Sequence, residues 1–293
     1  MTLLQSGITK SLAEDYEIDN SCRFNNDAYL ARTPSVAGNQ KTFTFSGWFK
    51  KITADDGSTS MFLTSVADSD NRFYFGSPVS DIVYIYGQTG SGANQIYLAT
   101  NALYRDPASW YHYVMTVDTT HATSSERVRL YVNGERVTSF STETYPAQDY
   151  ECKINTTTAM YVGAYGPSGV GNYMNGYMAE VYWVDGQALD ADSFGELDST
   201  TNQWIPLDSD DVKDAVTFGT NGFYQKYNST ELAASFADSA ETDIVAFTAN
   251  DTWTVPTGIT AVDVLVVGGG GSVGADSVSN AGGGGGGAGG LVY

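Results

Sequence analysis

The chain has 293 residues, a length that suits one large β domain or two ordinary domains. Thirty-four acidic and fourteen basic side chains give a net charge of −20 at pH 7, which would repel phosphate backbones and argues against nucleic acid as a partner. Aromatic residues reach 13%, with twenty tyrosines, a composition that favours strands over helices. No apolar stretch is long enough to cross a bilayer and no basic-then-apolar leader is present, so we expect neither membrane insertion nor a cleavable signal.

Alternating apolar and polar residues predict the first strands. Residues 42–50, TFTFSGWFK, place Phe43, Phe45 and Phe49 on one face and polar residues mostly on the other, which predicts a half-buried strand. Residues 110–118, WYHYVMTVD, are apolar on both faces, as expected of a central strand.

The segment that follows carries a hairpin signal. In RVRLYVNGERV, the dipeptide Asn133-Gly134 tolerates positive φ at both turn positions, which predicts a tight turn and a return strand through Val137. Further strands are predicted at 160–165, MYVGAY, and at 177–185, YMAEVYWVD.

The rest of the chain shows little helical periodicity. Gly186 ends the last of these strands, and Asp190 is predicted to cap one or two helical turns. Turn residues dominate between the strands at 160–165 and 177–185. The pattern therefore predicts an all-β sandwich of two antiparallel sheets.

The order of these motifs carries a resemblance. The FTFSGWFK strand, the SWYHYVMTVD strand, the RVRLYVNGERV hairpin, YVGAYG and YMNGYMAEVYWVDGQAL resemble, over roughly residues 16–200, the laminin-G-like, concanavalin A-like jelly roll. More specifically, this part resembles jelly-roll modules of bacteriophage virion proteins. In those modules a strand similar to YGTNGFYL closes the fold, which implies that Phe218 to Tyr227 belong to the first domain.

A second resemblance covers the C-terminal part. Thirteen of the 32 glycines lie between Gly268 and Gly290, and FTANDTWTVPTGITAVDVLVVGGGG through GGLVY resembles the glycine-rich domain of phage tail and fibre proteins. The resemblance implies a jelly-roll domain over 1–240 and a small glycine-rich β domain over 241–293. Members of that family continue beyond GGLVY, so we expect the second domain to be incomplete.

Concanavalin A-like folds also house glycosidases, which makes catalysis a hypothesis to test. The β-glucanase branch uses E-x-D-x-x-E on one strand, where alternate residues face the same cleft. Glu17 and Asp19 are followed by Cys22 where the third carboxylate is required, and the similar runs at 196–201 and 241–246 end in Thr201 and Ala246. We therefore expect no enzyme activity, with a polysaccharide depolymerase as the alternative.

Side chains for nucleophilic catalysis are scarce. Of the two histidines, His112 lies inside a predicted strand and is expected to be a hydrogen-bonded core residue, whereas His121 lies in a polar loop and is expected to be solvated. The two cysteines, Cys22 and Cys152, could pair, but free buried thiols are expected in a chain of this size without a secretory signal.

Calcium is the metal that such lectin-like folds imply. Asp68, Asp70 and Asn71 have the one-three spacing of a calcium loop, and the Asp-Asp-Gly run at 55–57 is a second candidate. Neither extends to a full loop motif with a distal Glu. We expect no resident cofactor, leave calcium open and assign no metal ligands.

Carbohydrate binding uses exposed rings that stack on sugars, with amides and carboxylates taking the hydroxyls. The loop between the last two predicted strands offers Tyr165, Tyr173 and Asn172 as candidate binding residues. A second aromatic group surrounds Tyr104 and Trp110. The alternative is that these rings stand half-buried on the sheet with only the hydroxyl in water.

These resemblances imply a structural and adhesive component of a bacteriophage virion, a tail fibre or other surface fibre made in the host cytoplasm. Its partners would be other virion proteins and a host surface polysaccharide. Unpaired strand edges at the glycine-rich end favour a homo-oligomer, most simply a trimer. Several copies would also strengthen attachment through individually weak glycan contacts. A capsid decoration protein is a further alternative.

Overall fold

The computed structural model describes residues 16–25, 28–52, 60–77, 81–90, 94–166 and 171–228, and the backbone of 266–267 and 291–292. The chain divides into two units, Met1–Asp243 and Ile244–Tyr293. The predicted domain boundary at 240/241 and the glycine tract between Gly268 and Gly290 lie outside the described residues. In the second unit, two short antiparallel strands are described, β17 (Val266–Val267) and β18 (Leu291–Val292).

The first unit is built almost wholly from strands. They are, in chain order, β1 (Cys22–Asn25), β2 (Leu30–Arg32), β3 (Thr42–Lys51), β4 (Ser60–Val66), β5 (Arg72–Ser77), β6 (Tyr84–Gln88), β7 (Asn94–Thr100), β8 (Tyr111–Asp118), β9 (Val128–Val132), β10 (Glu135–Arg136), β11 (Phe140–Thr144), β12 (Met160–Val162), β13 (Asn175–Asp185), β14 (Gly195–Leu197), β15 (Trp204–Pro206) and β16 (Phe223–Gln225). One α-helix, α1 (Ser209–Ala215), and two 3-10 turns, Ser124–Glu126 and Ala191–Ser193, complete the described elements.

Two seven-stranded antiparallel sheets form the predicted sandwich. The first sheet has the order β1-β13-β3-β8-β9-β10, with β16 also paired to β13. The second has the order β11-β7-β6-β5-β4-β12-β2. Strands from distant parts of the sequence are neighbours in both sheets, as in a jelly roll.

Phenylalanine rings fill the space between the sheets. Phe43 of β3 lies edge-on to Phe73 of β5 at 5.8 Å between ring centroids, and Phe45 lies edge-on to Phe75 at 6.0 Å. Trp183 packs on Phe43 at 4.9 Å and is fully buried. Large apolar side chains from both inner faces thus interdigitate across the sandwich, which is where most of the stabilising burial occurs.

The outer face of the first sheet is covered by a second apolar layer. Helix α1 buries Val212, and the segment before it buries Phe194 against Tyr182 of β13, with ring centroids 5.3 Å apart. Thr44 of β3 donates to Gln187 O and accepts from Leu189 N, which ties the covering segment to the sheet. The prediction of a half-buried β3 was therefore wrong, because both of its faces are buried.

The hairpin prediction is confirmed. Asn133 and Gly134 have φ of 48° and 81°, the positive values that the turn requires. The return strand β10 is one residue shorter than predicted, although Val137 N still donates to Leu130 O. The face assignment of β3 is also confirmed, since Phe43, Phe45 and Phe49 all lie in the core.

Two local predictions need correction. The strand predicted at 160–165 ends at Val162, because Gly163 adopts φ of 84° and a Cβ there would lie 2.4 Å from the ring of Phe24. Asp190 precedes a 3-10 turn, but its side chain makes no capping bond and instead accepts from Tyr131 Oη at 2.8 Å. Residues 218–227 belong to the first domain, as the resemblance implied, because β16 pairs with β13 and Tyr227 is buried in the core.

Candidate functional site

Aromatic side chains cover the outer face of the second sheet. In β5, Phe73 and Phe75 point into the core, so Tyr74 between them points outward. The same alternation places Tyr84 and Tyr86 of β6 on the outer face, around the buried Ile85. Because period two aligns these positions on adjacent strands, the tyrosines form one patch.

We name this patch the tyrosine face and define it by Tyr74, Tyr84, Tyr86, Tyr97 and Tyr165. Tyr74 stacks on Tyr86 with ring centroids 4.5 Å apart and meets Tyr84 edge-on at 5.5 Å. Tyr97 of β7 lies edge-on to Tyr86 at 5.6 Å, and Tyr165 lies edge-on to Tyr74 at 5.8 Å. The five rings thus form a continuous aromatic surface.

Exposure divides these rings into a floor and a rim. Tyr84 and Tyr86 are each 8% exposed, whereas Tyr74, Tyr97 and Tyr165 are partly exposed. Burial raises the pKa of Tyr74 and of Tyr84 above the usual tyrosine range. Both hydroxyls therefore stay protonated and remain hydrogen-bond donors at physiological pH.

Polar groups border the rings at one end. The Arg72 guanidinium lies over the Tyr86 ring, 5.4 Å from its centroid, and its Nε donates to Gln88 Oε1 at 3.0 Å. The Tyr86 hydroxyl lies 2.7 Å from Gln88 Oε1 and 2.5 Å from Asn94 Oδ1 and donates its proton between these two acceptors. The site therefore combines flat apolar rings with a cation and two amides, the groups that orient a polyhydroxylated ligand.

The predicted binding residues lie in the loop beside this face. Tyr165 joins the tyrosine face, as described above, and pairs through its backbone with Gly171. Tyr173 lies outside the face and packs against Tyr29, with ring centroids 6.2 Å apart. Asn172 is exposed, with φ of 48°.

Tyr29 continues the aromatic surface toward the edge of the sheet. Its ring centroid lies 5.8 Å from that of Tyr161. Tyr161 of β12 is the cross-strand partner of Thr64 of β4, on the same outer face of the sheet. Gly166 permits this arrangement, because a Cβ there would lie 2.4 Å from the Tyr161 ring. The loop thus places Tyr165 on the tyrosine face and Tyr173 on its extension.

The second predicted aromatic group does not form. Tyr104 packs edge-on against Tyr111 and Tyr113, at 5.6 and 5.7 Å, at the end of the core. Trp110 lies near Tyr177, with ring centroids 6.5 Å apart. The two side chains belong to different clusters because Trp110 directly precedes β8, whose alternate residues face opposite sides of the sheet.

Sequence reasoning missed four of the five tyrosines of this face. Their signal is present in RFYFGS and VYIYGQ, where tyrosines alternate with apolar residues over adjacent short strands. Alternation alone assigns Tyr74, Tyr84 and Tyr86 to the side opposite the core. It does not fix the register between β5, β6 and β7, which decides whether the tyrosines of neighbouring strands meet.

His112 is a core residue, as predicted. It is 1% exposed, and burial lowers its pKa to about 3. Trp204 Nε1 donates to His112 Nδ1 at 2.9 Å, so Nε2 carries the proton and donates to Ser46 Oγ at 2.8 Å. A neutral imidazole with both nitrogens engaged is unavailable as a base. His121 is exposed, in agreement with its predicted solvation.

The candidate calcium loop at Asp68, Asp70 and Asn71 is closed by its own hydrogen bonds. Asp68 accepts from the backbone N–H groups of Asp70 and Asn71 at 2.8 Å, and the Asn71 amide donates to both of its oxygens. These donors lower the pKa of Asp68 and occupy its carboxylate. Within the described ranges, no three His, Cys, Asp or Glu side chains come together as metal ligands would. Residues 55–57 lie outside those ranges.

Both cysteines are thiols in the structure. Cys152 is buried in the core and Cys22 is partly buried. Burial raises the pKa of each thiol, so neither has the thiolate character of a reactive cysteine. No helix among the described residues is long and apolar enough to cross a bilayer.

Comparison with solved structures finds chains of similar fold. A native heptameric SAP-like pentraxin from Limulus polyphemus is 12% identical, with a TM-score of 0.41 over 59% of this chain and 79% of the pentraxin chain. Domains LG4-5 of the mouse laminin alpha1 chain are 15% identical, with a TM-score of 0.41 over 58% of this chain and 43% of that chain.

A putative carbohydrate binding protein from Bacteroides ovatus is also 15% identical, with a TM-score of 0.41 over 70% of this chain and 50% of that chain. The chain thus spans half or less of the laminin and Bacteroides chains that it matches. No curated protein sequence matches the chain.

Two family models match the sequence itself. A glycine-rich domain covers residues 245–293. The model described as the concanavalin A-like lectin/glucanases superfamily covers residues 24–193, which is more than half of the chain and includes both sheets up to β13. Over these residues the fold and the sequence agree with the predicted laminin-G-like jelly roll, and the chain belongs to the concanavalin A-like lectin/glucanases superfamily.

Proposed function

We propose that this chain is a non-catalytic glycan-binding protein and that the tyrosine face holds the glycan. The observation that carries the proposal is the continuous surface formed by Tyr74, Tyr86, Tyr97 and Tyr165, with Arg72 at its border. Flat rings accept the apolar faces of sugar rings, and the neighbouring amides and hydroxyls take the sugar hydroxyls.

The charge of this face favours neutral or acidic sugars. The four central strands β4 to β7 contain one cationic residue, Arg72, and no Asp or Glu. The chain as a whole carries −20, but none of its carboxylates lies in these four strands. An uronic acid or other acidic sugar would meet Arg72 without facing a carboxylate of these strands.

The same composition supports binding without hydrolysis. Glycoside hydrolysis uses two carboxyl groups about 5 to 9 Å apart across the scissile bond. These four strands supply none, and His112 is neutral and engaged on both nitrogens. We therefore favour binding over the depolymerase alternative.

The experiment is a glycan microarray with the full chain, followed by titration calorimetry on the glycans that bind. Tyr97→Ala and Tyr74→Ala each remove a partly exposed ring, and we expect each to weaken binding about five- to tenfold. The control is Tyr111→Ala, which removes a partly buried ring from the other sheet and should leave affinity unchanged. Equal affinity of the parent and both tyrosine-face variants would refute the site.

We propose further that the glycan is on a host cell and that the chain is part of a bacteriophage fibre, together with other virion proteins. The support is the order of motifs that resembles phage virion modules and the glycine-rich domain at 245–293. Immunogold labelling of virions with an antibody to this chain tests the proposal. Label on the capsid would favour the decoration-protein alternative, and no label on virions would refute the role.

A further inference from the structure

The outer face of the first sheet holds a cavity of about 400 Å³. Its floor includes Ala179 of β13 and Trp48 of β3, which are cross-strand neighbours. Trp110, Pro206 and the segment 16–21 form the walls. Because the side chain of Ala179 is small, the space above it stays open beside the indoles of Trp48 and Trp110.

The segment 16–21 is fixed at both ends. At one end, the Tyr16 hydroxyl donates to Glu180 Oε1 and accepts from the Ser209 hydroxyl, each at 3.1 Å. At the other end, Cys22 enters the first sheet opposite Met178. Glu180 also accepts from the Tyr182 and Tyr224 hydroxyls and is 1% exposed, so the anchor for Tyr16 is itself rigidly held.

Between these anchors, the backbone of residues 17–21 makes no hydrogen bond to the rest of the described chain. Side chains alternate along the segment, with Ile18 and Asn20 partly buried and Glu17 and Asp19 exposed. The segment therefore offers backbone donors and acceptors and one amide at the cavity, next to two indole rings.

The Trp48 indole is held in place from behind. It stacks on His112 with ring centroids 4.9 Å apart, and His112 stacks in turn on Trp204 at 6.0 Å. The bond from Trp204 Nε1 to His112 Nδ1 locks this column. A ligand would thus meet a preformed floor, which lowers the entropic cost of binding.

We infer that this cavity binds one neutral sugar ring, as a second site independent of the tyrosine face. Its volume lies near the lower limit of small-molecule sites, which suits a single ring. The indoles would take the apolar face of the sugar, and the backbone of residues 17–21 with the Asn20 amide would take its hydroxyls. Glu17 and Asp19 at this segment disfavour acidic sugars, in contrast to the tyrosine face with Arg72.

The test is titration calorimetry of the full chain with glucose, galactose and mannose at up to tens of millimolar, with intrinsic tryptophan fluorescence as the second readout. We expect at least one hexose to bind and to change the fluorescence, and glucuronate to bind more weakly. Trp110→Ala should weaken hexose binding at least tenfold. Asn20→Ala, on the segment outside the sheets, should weaken it without disturbing the fold.

Tyr145→Ala is the matched control, since it removes a partly exposed ring that lines neither this cavity nor the tyrosine face, and it should leave hexose affinity unchanged. The inference is overturned if no hexose binds, if Trp110→Ala and Asn20→Ala both bind like the parent, or if glucuronate binds as well as the hexoses. Loss of binding in Tyr97→Ala alone would assign the hexose to the tyrosine face. Failure of the tyrosine-face variants on the microarray leaves this test unaffected, because the two sites are probed by different substitutions.

Discussion

Gly134, in the hairpin turn, offers a sharp test of the packing that supports the first sheet. Its φ is 81°, and a Cβ at this position would lie 2.4 and 2.5 Å from two ring carbons of Trp204. Ordinary carbon contacts are about 3.5 to 4.0 Å, so Gly134→Ala requires the indole to move by about 1 Å. That movement would pull Trp204 Nε1 away from His112 Nδ1.

Two costs add in this variant. An alanine at positive φ costs about 1 to 2 kcal/mol in free energy of unfolding. Loss of this hydrogen bond leaves the buried His112 nitrogen without a donor, which lowers the free energy of unfolding by about another 1 to 3 kcal/mol. We therefore expect a total destabilisation of about 2 to 5 kcal/mol, measured by urea unfolding monitored by fluorescence.

Gly186→Ala is the matched control. Gly186 has φ of 92°, but a Cβ there meets nothing within 4 Å, so only the backbone cost of about 1 to 2 kcal/mol applies. In the background of Trp204→Ala, Gly134→Ala should cost no more than this control, because the clash has been removed. Equal effects of the two glycine substitutions in the parent chain would refute the contact between Gly134 and Trp204.

Three other predictions concern stability. The pKa of His112 is about 3 in the folded chain against 6.5 for the free side chain, so between these pH values the unfolded state binds one proton more than the folded state. The free energy of unfolding should therefore fall by about 1 kcal/mol per pH unit as the pH drops from 6.5 toward 3. His112→Gln should flatten this slope, and identical pH profiles of the variant and the parent would contradict the prediction. The Gln225 amide is fully buried with no hydrogen-bond partner among the described residues. Gln225→Met should therefore raise the free energy of unfolding by about 1 kcal/mol. A decrease of similar size in the free energy of unfolding would show that the amide is hydrogen-bonded. A reductant should leave the melting temperature unchanged because Cys22 and Cys152 are thiols, and a large fall would reveal a disulfide.

Features set by neighbouring residues were predictable from the sequence. Alternation in FTFSGWFK assigned Phe43, Phe45 and Phe49 to the core, and Asn133-Gly134 defined its turn, because both depend only on local backbone geometry. Helix α1 was not predicted, because seven residues with a single buried apolar side chain, Val212, give no helical period to detect.

Features set by distant residues were not predictable. Glu180 has φ of 47° at a register shift in β13, and its carboxylate is surrounded by hydroxyls from Tyr16, Tyr182 and Tyr224. Tyr16 precedes it by 164 positions. No local pattern indicates such a cluster, because it forms only when β16 and the segment before β1 reach the same part of β13.

The tyrosine face lies on the outer face of the second sheet, and the cavity beside Trp48 and Trp110 lies on the outer face of the first sheet. In the described part of the chain, phenylalanine and Trp183 rings fill the space between the two sheets, and both surfaces lie outside it. Tyrosine suits such faces because its ring packs on the sheet while its hydroxyl reaches a polar partner. Two sites that face away from each other would not hold adjacent rings of one short glycan. Tight attachment to a surface would therefore depend on several copies of the chain acting together, each contributing one weak contact.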